Sequence, residues 1–152
     1  MLTEAELVEG MEIAAKRGAK YNIEILNEEL VPTLMILNNQ NQIELAHIIG
    51  DNDTLHDSIK KCLVTQHAKA YALVIEAWST SFTEKAIELN GRVRDMPLDD
   101  RFEVSNVIMV KRNQGIYKYL SARINTLDDG KRQLEEWEDG AIHETRICVT
   151  EW

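Results

Sequence analysis

The sequence feature that most constrains the fold is a hairpin pattern that occurs twice. In the first hairpin, apolar residues 31–37 and 42–49 flank a turn of Asn and Gln at residues 38–41. In the second, residues 102–111 alternate as in a strand and lead through the polar residues 112–115 into another apolar stretch. Strands joined by such short turns pair antiparallel. The sequence therefore predicts a mostly antiparallel sheet.

Two helical segments accompany the hairpins. Thr3 and Glu6 have the spacing of a capping box, and apolar residues recur at helical spacing over residues 7–26. Asp53 is suited to cap a second helix, whose inward stripe falls within residues 55–63. We expect these to be the two main helices of the protein.

The order of these segments predicts an α+β fold. A helix, a hairpin, a second helix, a strand at residues 70–78 and a second hairpin follow one another, and a last strand is predicted at residues 141–149. We expect about five or six mainly antiparallel strands, with two main helices packed on one face of the sheet. At 152 residues the chain has the size of one domain, which spans residues 1–152.

The net charge of −9 limits the classes of partner that we expect. Binding to a phosphate backbone needs clustered Lys and Arg, so we do not expect direct contact with the nucleic-acid backbone. Met1 and Leu2 lead directly into polar residues, and no apolar run approaches the length of a membrane span. We therefore expect a cytoplasmic protein that makes no contact with membranes.

The strand at residues 70–78 and the polar connection after it are the predicted working surface. The strand contains the carboxylate of Glu76, and a buried charge is costly unless it is paired, so Glu76 is expected to face water or to meet a cation. Loops held by a rigid sheet are where binding sites concentrate. The predicted binding residues are Glu76, Trp78, Arg94, Asp95, Asp99 and Arg101.

A structural role competes with this binding hypothesis. Arg94 or Arg101 would neutralise Glu76 and hold the connection against the sheet. In that case the charges of the connection pair with one another and need no ligand.

Two short histidine motifs offer a catalytic alternative. His56 with Ser58, and His143 with Thr145, each match a His-x-Ser/Thr pattern, which resembles the motif of the two-histidine phosphoesterases. The resemblance implies two imidazoles acting as base and acid while the hydroxyls hold a phosphate. That family places both motifs on facing strands, whereas His56 follows a helix cap here. The chain contains no HExxH, CxxC or glycine-rich nucleotide motif, and we expect no metal and no cofactor.

Residues 71–130 are similar to a group of small uncharacterised bacterial and phage single-domain proteins. The similarity rests on Glu-Ala-Trp at residues 76–78, on the later Pro and Asp-Asp-Arg-Phe-Glu-Val, and on the Asp-Gly turn at residues 129–130. It implies an accessory protein of phage or prophage type, and it implies no activity.

These observations favour a non-enzymatic, small acidic accessory protein that acts by binding a protein partner. Exposed strand edges invite pairing, so we also expect a homo-oligomer. One alternative is a module that sequesters a nucleotide at an oligomer interface, with Arg92, Arg94 or Arg101 on the phosphate and a Trp or Tyr on the base. The other alternative is a phosphoesterase-like enzyme that uses the two histidine motifs.

Overall fold

The computed structural model describes residues 1–49, 52–89, 92–140 and 148–152. The helices are α1 (Glu4–Lys20), α2 (Asn52–Thr65) and α3 (Thr83–Glu88), and α1 continues into a π-helical turn at Tyr21–Ile25. The strands are β1 (Thr33–Asn38), β2 (Ile43–His47), β3 (Ala68–Ser79), β4 (Phe102–Lys111), β5 (Gly115–Thr126), β6 (Arg132–Leu134) and β7 (Glu138–Asp139).

The strands form one curled antiparallel sheet with the shape of a half-barrel. Their order is β2-β1-β3-β4-β5-β6, and β7 also pairs with β5. Every pair is antiparallel, which confirms the α+β class and the antiparallel sheet. Within the described residues the sheet has seven strands, because the short strands β6 and β7 add to those expected from periodicity.

The two main helices cover different faces of this sheet. Ala70, Ala72 and Val74 of β3 belong to the apolar cluster that contains Met11 and Ala15 of α1. The residues of β3 that alternate with these three belong to a second apolar cluster, which also contains the buried residues of α2. Successive side chains of a strand point to opposite faces, so α1 and α2 pack on opposite faces. The prediction of one shared face is therefore wrong, and the unbroken burial of residues 70–75 reflects a strand covered on both sides.

Local signals in the sequence explain how α1 begins. The Thr3 hydroxyl accepts from the Glu6 N–H at 3.1 Å, and the Glu6 carboxylate accepts from the Thr3 N–H at 3.3 Å. This reciprocal pair confirms the predicted capping box. In the part of the chain that the structure describes, no helix is both long enough and apolar enough to cross a membrane.

The C-terminal residues pack onto the α2 face of the sheet. The Tyr71 hydroxyl donates to the Val149 carbonyl at 2.7 Å and accepts from the Val149 N–H at 2.9 Å. The Trp152 indole N–H donates to the Ala68 carbonyl at 2.8 Å, and its ring meets Tyr71 edge-on. Most of the predicted strand at residues 141–149 lies outside the described residues, and its end at Cys148 and Val149 is not a strand.

Buried groups under this C-terminal segment predict a loss of stability at high pH. Burial raises the pKa of the Cys148 thiol to about 12, compared with about 8.5 in an unfolded chain. Burial, and then the charge of Cys148, raise the pKa of Tyr71 as well. Because the folded state keeps these protons longer than the unfolded state, their contribution is complete below about pH 8.5 and is lost as the pH rises toward about 12. We expect the urea midpoint to fall across this range.

The measurement is urea unfolding followed by tryptophan fluorescence from about pH 7 to about pH 10.5. The variant Cys148→Ala should flatten the part of the curve between about pH 8.5 and about pH 10, because the first group to titrate is gone. A wild-type midpoint that stays constant over the whole range would show that these groups do not control alkaline stability.

Candidate functional site

The connection between β3 and β4, residues 80–101, is anchored to the end of the sheet; we call it the β3–β4 segment. It contains α3 and two short 3-10 turns, Val93–Asp95 and Leu98–Asp100. The Thr80 hydroxyl donates to the Asp100 carbonyl at 2.5 Å, and the Lys85 ammonium pairs with the Asp100 carboxylate at 3.0 Å. Met96 is buried. These contacts join the two ends of the segment.

Arg101 stacks on Trp78 where the segment enters β4. Its guanidinium carbon lies 4.1 Å from the centroid of the indole ring, a cation–π geometry. The same guanidinium donates through Nη1 to the Arg94 carbonyl. Trp78 nevertheless keeps 36% of its surface exposed. Arg101 thus positions the indole at the surface and links it to the turn that contains Arg94.

Glu76 meets a cation, as its burial requires, but the cation is Arg132 rather than Arg94 or Arg101. The Arg132 guanidinium donates to both carboxylate oxygens of Glu76 at 3.0 Å. The two side chains are only 14% and 12% exposed. The hydrogen bonds with Glu76, opposed by burial, raise the pKa of Arg132 further. The hypothesis that an arginine of the β3–β4 segment neutralises Glu76 is therefore wrong.

The ion pair ties the chain that follows α1 to the sheet. The Leu30 N–H donates to the Glu76 carboxylate at 2.9 Å, and the Arg132 guanidinium donates to the Glu28 carbonyl. The backbone N–H of Arg132 donates to the Asn27 side chain at 3.1 Å. Glu76 is thus the centre of a structural junction between residues 27–30, β3 and β6, and all of its carboxylate oxygens are engaged within the chain.

The remaining predicted binding residues lie on the β3–β4 segment. Arg94, Asp95 and Asp99 are exposed. Asp95 is 3.7 Å from the Arg92 guanidinium, which also donates to the Leu89 carbonyl. The structure therefore brings Trp78, Arg94 and Arg101 together, places the two aspartates nearby along the same segment, and assigns Glu76 to a different set of contacts.

Three apolar residues of the segment were not among the predicted binding residues. Phe82, Ile87 and Leu98 are exposed, and Leu98 retains 70% of its surface. The signal that could have found them is the presence of large apolar side chains in a connection that is otherwise polar. Together with Trp78 they define the surface that we call the Trp78 surface.

The histidine motifs are only partly described. His56 and Ser58 lie on α2, and the His56 ring is 3.8 Å from the Asp57 carboxylate. His143 and Thr145 lie outside the described residues. Within residues 1–49, 52–89, 92–140 and 148–152, no group of three or more His, Cys, Asp and Glu side chains is arranged to hold a metal ion.

Comparisons with known proteins identify no relative of this chain. No family model, no curated protein and no solved structure matches it. The geometry and the chemistry of the Trp78 surface are therefore the basis on which a function can be inferred.

Proposed function

We propose that this chain is a non-enzymatic accessory protein that binds a protein partner through the Trp78 surface. The observation that carries the proposal is the exposed indole of Trp78, held by Arg101 beside the exposed side chains of the β3–β4 segment. Exposed apolar side chains concentrated in one segment, rather than scattered singly over the surface, favour an interaction site. Trp and Arg are the residues that most often dominate the binding energy of such sites.

The anchoring of the segment favours binding. Both of its ends are joined through Asp100, and Arg101 links Trp78 to the turn at Arg94. A surface that is ordered before binding loses less conformational entropy when a partner docks. The contacts that hold the segment therefore favour affinity as well as stability.

The charges around the Trp78 surface suit a protein partner. Arg94, Asp95 and Asp99 are exposed and carry both signs, as does the polar rim of many protein interfaces. Arg92 and Arg101 each direct one guanidinium N–H to a carbonyl, of Leu89 and of Arg94, and Arg92 also lies beside the Asp95 carboxylate, so part of their donor capacity is used within the segment. These contacts favour a protein over a nucleotide as the ligand.

The test is capture of a partner by variants that differ at one exposed apolar residue. Leu98→Asp places a charge in the Trp78 surface and should abolish capture without a loss of stability, because Leu98 is exposed. Tagged wild-type and variant proteins are incubated with lysate of the source cells, and the bound proteins are identified and quantified by mass spectrometry.

The matched control is Val64→Asp, which makes the same kind of change at an exposed residue of α2, near the opposite end of β3. This variant should capture the partner as the wild type does. Equal capture by the Leu98 variant and the wild type would contradict the proposal. A rise in melting temperature with nucleotides, and not with protein, would instead support nucleotide sequestration.

A further inference from the structure

The strand β2 forms one edge of the sheet, and its protection against pairing is limited to its short length and the charge of Glu44. It is the first strand in the order of the sheet, and within the described residues its partner is β1. Natural edge strands are commonly protected by Lys, by Pro or by a bulge. The sequence Ile-Glu-Leu-Ala-His of β2 has neither Lys nor Pro, and its register with β1 is continuous over all five residues.

The hydrogen bonds of the hairpin show which backbone groups point to the open edge. The Asn38 N–H donates to the Gln42 carbonyl at 2.9 Å, and the Ile48 N–H donates to the Pro32 carbonyl at 2.8 Å. In an antiparallel pair the hydrogen-bonded positions alternate, so the even-numbered residues of β2 bond to β1. The N–H and C=O groups of Ile43, Leu45 and His47 therefore point away from β1.

The side chains at these outward positions are apolar and exposed. Leu45, at the centre of β2, keeps 67% of its surface exposed, and Ile43 is also exposed. Val31 and Ile49, which flank the hairpin strands, add two more exposed apolar side chains. Among the described residues, the edge thus combines backbone groups that pair with no strand and apolar surface that a second strand would cover.

We propose that two copies of this chain associate through β2, which forms an antiparallel β2–β2 pair about a twofold axis at Leu45. In this register Ile43 of one copy faces His47 of the other, and the three outward residues of each copy supply about six hydrogen bonds across the interface. The pair joins two sheets into one continuous sheet. It gives an interface to the homo-oligomer that the sequence predicts, and it does not depend on the Trp78 surface.

Charge selects this register among those the edge allows. With Leu45 on the axis, Glu44 of each copy lies opposite Ala46 of the other, and no like charges meet. A shift toward the hairpin turn would place the two Glu44 carboxylates directly opposite each other, which is destabilising. A shift the other way would pair Ile43 with Ile49, which lies beyond the end of β2. The centred register is the one that pairs all of β2 without repulsion.

The first test is sedimentation equilibrium of the full chain from low micromolar concentrations to about 0.2 mM. The wild type should dimerise in this range, because an interface of one short strand pair is small. Leu45→Lys puts two ammonium groups together on the axis and should weaken dimerisation about tenfold or more. Because Leu45 is exposed in the single copy, the variant at low concentration should have the same melting temperature as the wild type.

Cysteine cross-linking tests the register itself. The Cα atoms of a hydrogen-bonded antiparallel pair are about 5.5 Å apart, within the range that a disulfide spans. Leu45→Cys should therefore form a covalent dimer with a mild oxidant, whereas Glu44→Cys, whose thiols lie off the axis, should not. Cys62 and Cys148 are present in both variants and provide the same background.

The outcomes separate this interface from the Trp78 surface. Leu98→Asp should dimerise as the wild type does, and Val64→Lys, a charge at an exposed position of α2, should also leave dimerisation unchanged. A wild type that is monomeric over the whole range, a Leu45→Lys variant that dimerises normally, or equal cross-linking at positions 44 and 45 would each overturn the proposal. None of these results bears on partner capture by the Trp78 surface.

Discussion

Replacing Arg132 with methionine will lower the free energy of unfolding by about 2–4 kcal/mol, somewhat less than a fully buried pair would lose, because this pair is part-buried. The variant removes the cation that faces the buried carboxylate of Glu76, and Glu103 lies only 3.6 Å from the same guanidinium. It also takes away the donor to the Glu28 carbonyl. A buried charge that loses its partner costs far more than an exposed ion pair contributes. Urea unfolding followed by circular dichroism measures the loss.

Two variants control this result. Lys131→Met removes the same charge from an exposed neighbouring residue and should change the free energy of unfolding by less than about 0.5 kcal/mol. The second control adds Glu76→Gln to Arg132→Met. The amide keeps an acceptor for the Leu30 N–H but carries no charge, so the double variant should be more stable than Arg132→Met alone. Equal losses at positions 131 and 132, or no recovery in the double variant, would contradict the expected role of the ion pair.

The parts of the fold that could be predicted have causes that are local in the sequence. The capping box needs only residues 3–6, and it forms as expected. In the first hairpin turn the Asn38 side chain accepts from the N–H groups of Gln40 and Gln42, each at 2.9 Å, and Asn41 has a positive φ of 59°. Asn tolerates both roles, which is why a run of Asn and Gln marks a turn.

The parts that could not be predicted depend on contacts between distant segments. The apolar pattern of a helix shows which side is buried but does not show which face of the sheet will receive it, so the pattern does not distinguish one shared face for α1 and α2 from two opposite faces. The strands β6 and β7 have three and two residues, too few for an alternating pattern to be recognised. They form because β5 offers them the edge that faces away from β4, at residues 124–126 for β6 and at residues 120–121 for β7.

In the candidate site, too, the features with local causes could be predicted and those that depend on distant contacts could not. The cost of burying a carboxylate predicted that Glu76 would need a cation, but Arg132 is 56 residues away in the sequence and nothing local indicates it. The contact between Trp78 and Arg101 could be inferred only from the strand register, in which Trp78 pairs with Glu103. That register places the start of β4 beside the end of β3. Sequence reasoning thus singled out the end of β3 and the β3–β4 segment but did not find the partners of their charges.

Replacing Tyr71 with phenylalanine will lower the free energy of unfolding by about 2–4 kcal/mol, because it leaves both the N–H and the C=O of Val149 without their partner in a buried position. The ring and its packing are kept, so the loss comes from the hydroxyl. Undocking of the C-terminal residues would return these groups to water, and Trp152, which contacts the Tyr71 ring, would then become more exposed. We therefore expect a red shift of tryptophan emission together with the lower urea midpoint.

The matched control for this substitution is Tyr21→Phe, which removes a hydroxyl from an exposed tyrosine of the π-helical turn and should change the free energy of unfolding by less than about 0.5 kcal/mol. Truncation before Cys148 should reproduce most of the effect of Tyr71→Phe, and combining the two changes should add little, because both remove the same contacts. Additive losses would mean that Tyr71 stabilises the protein by a route other than Val149. An unchanged emission spectrum in Tyr71→Phe would show that the C-terminal residues stay docked without the hydroxyl.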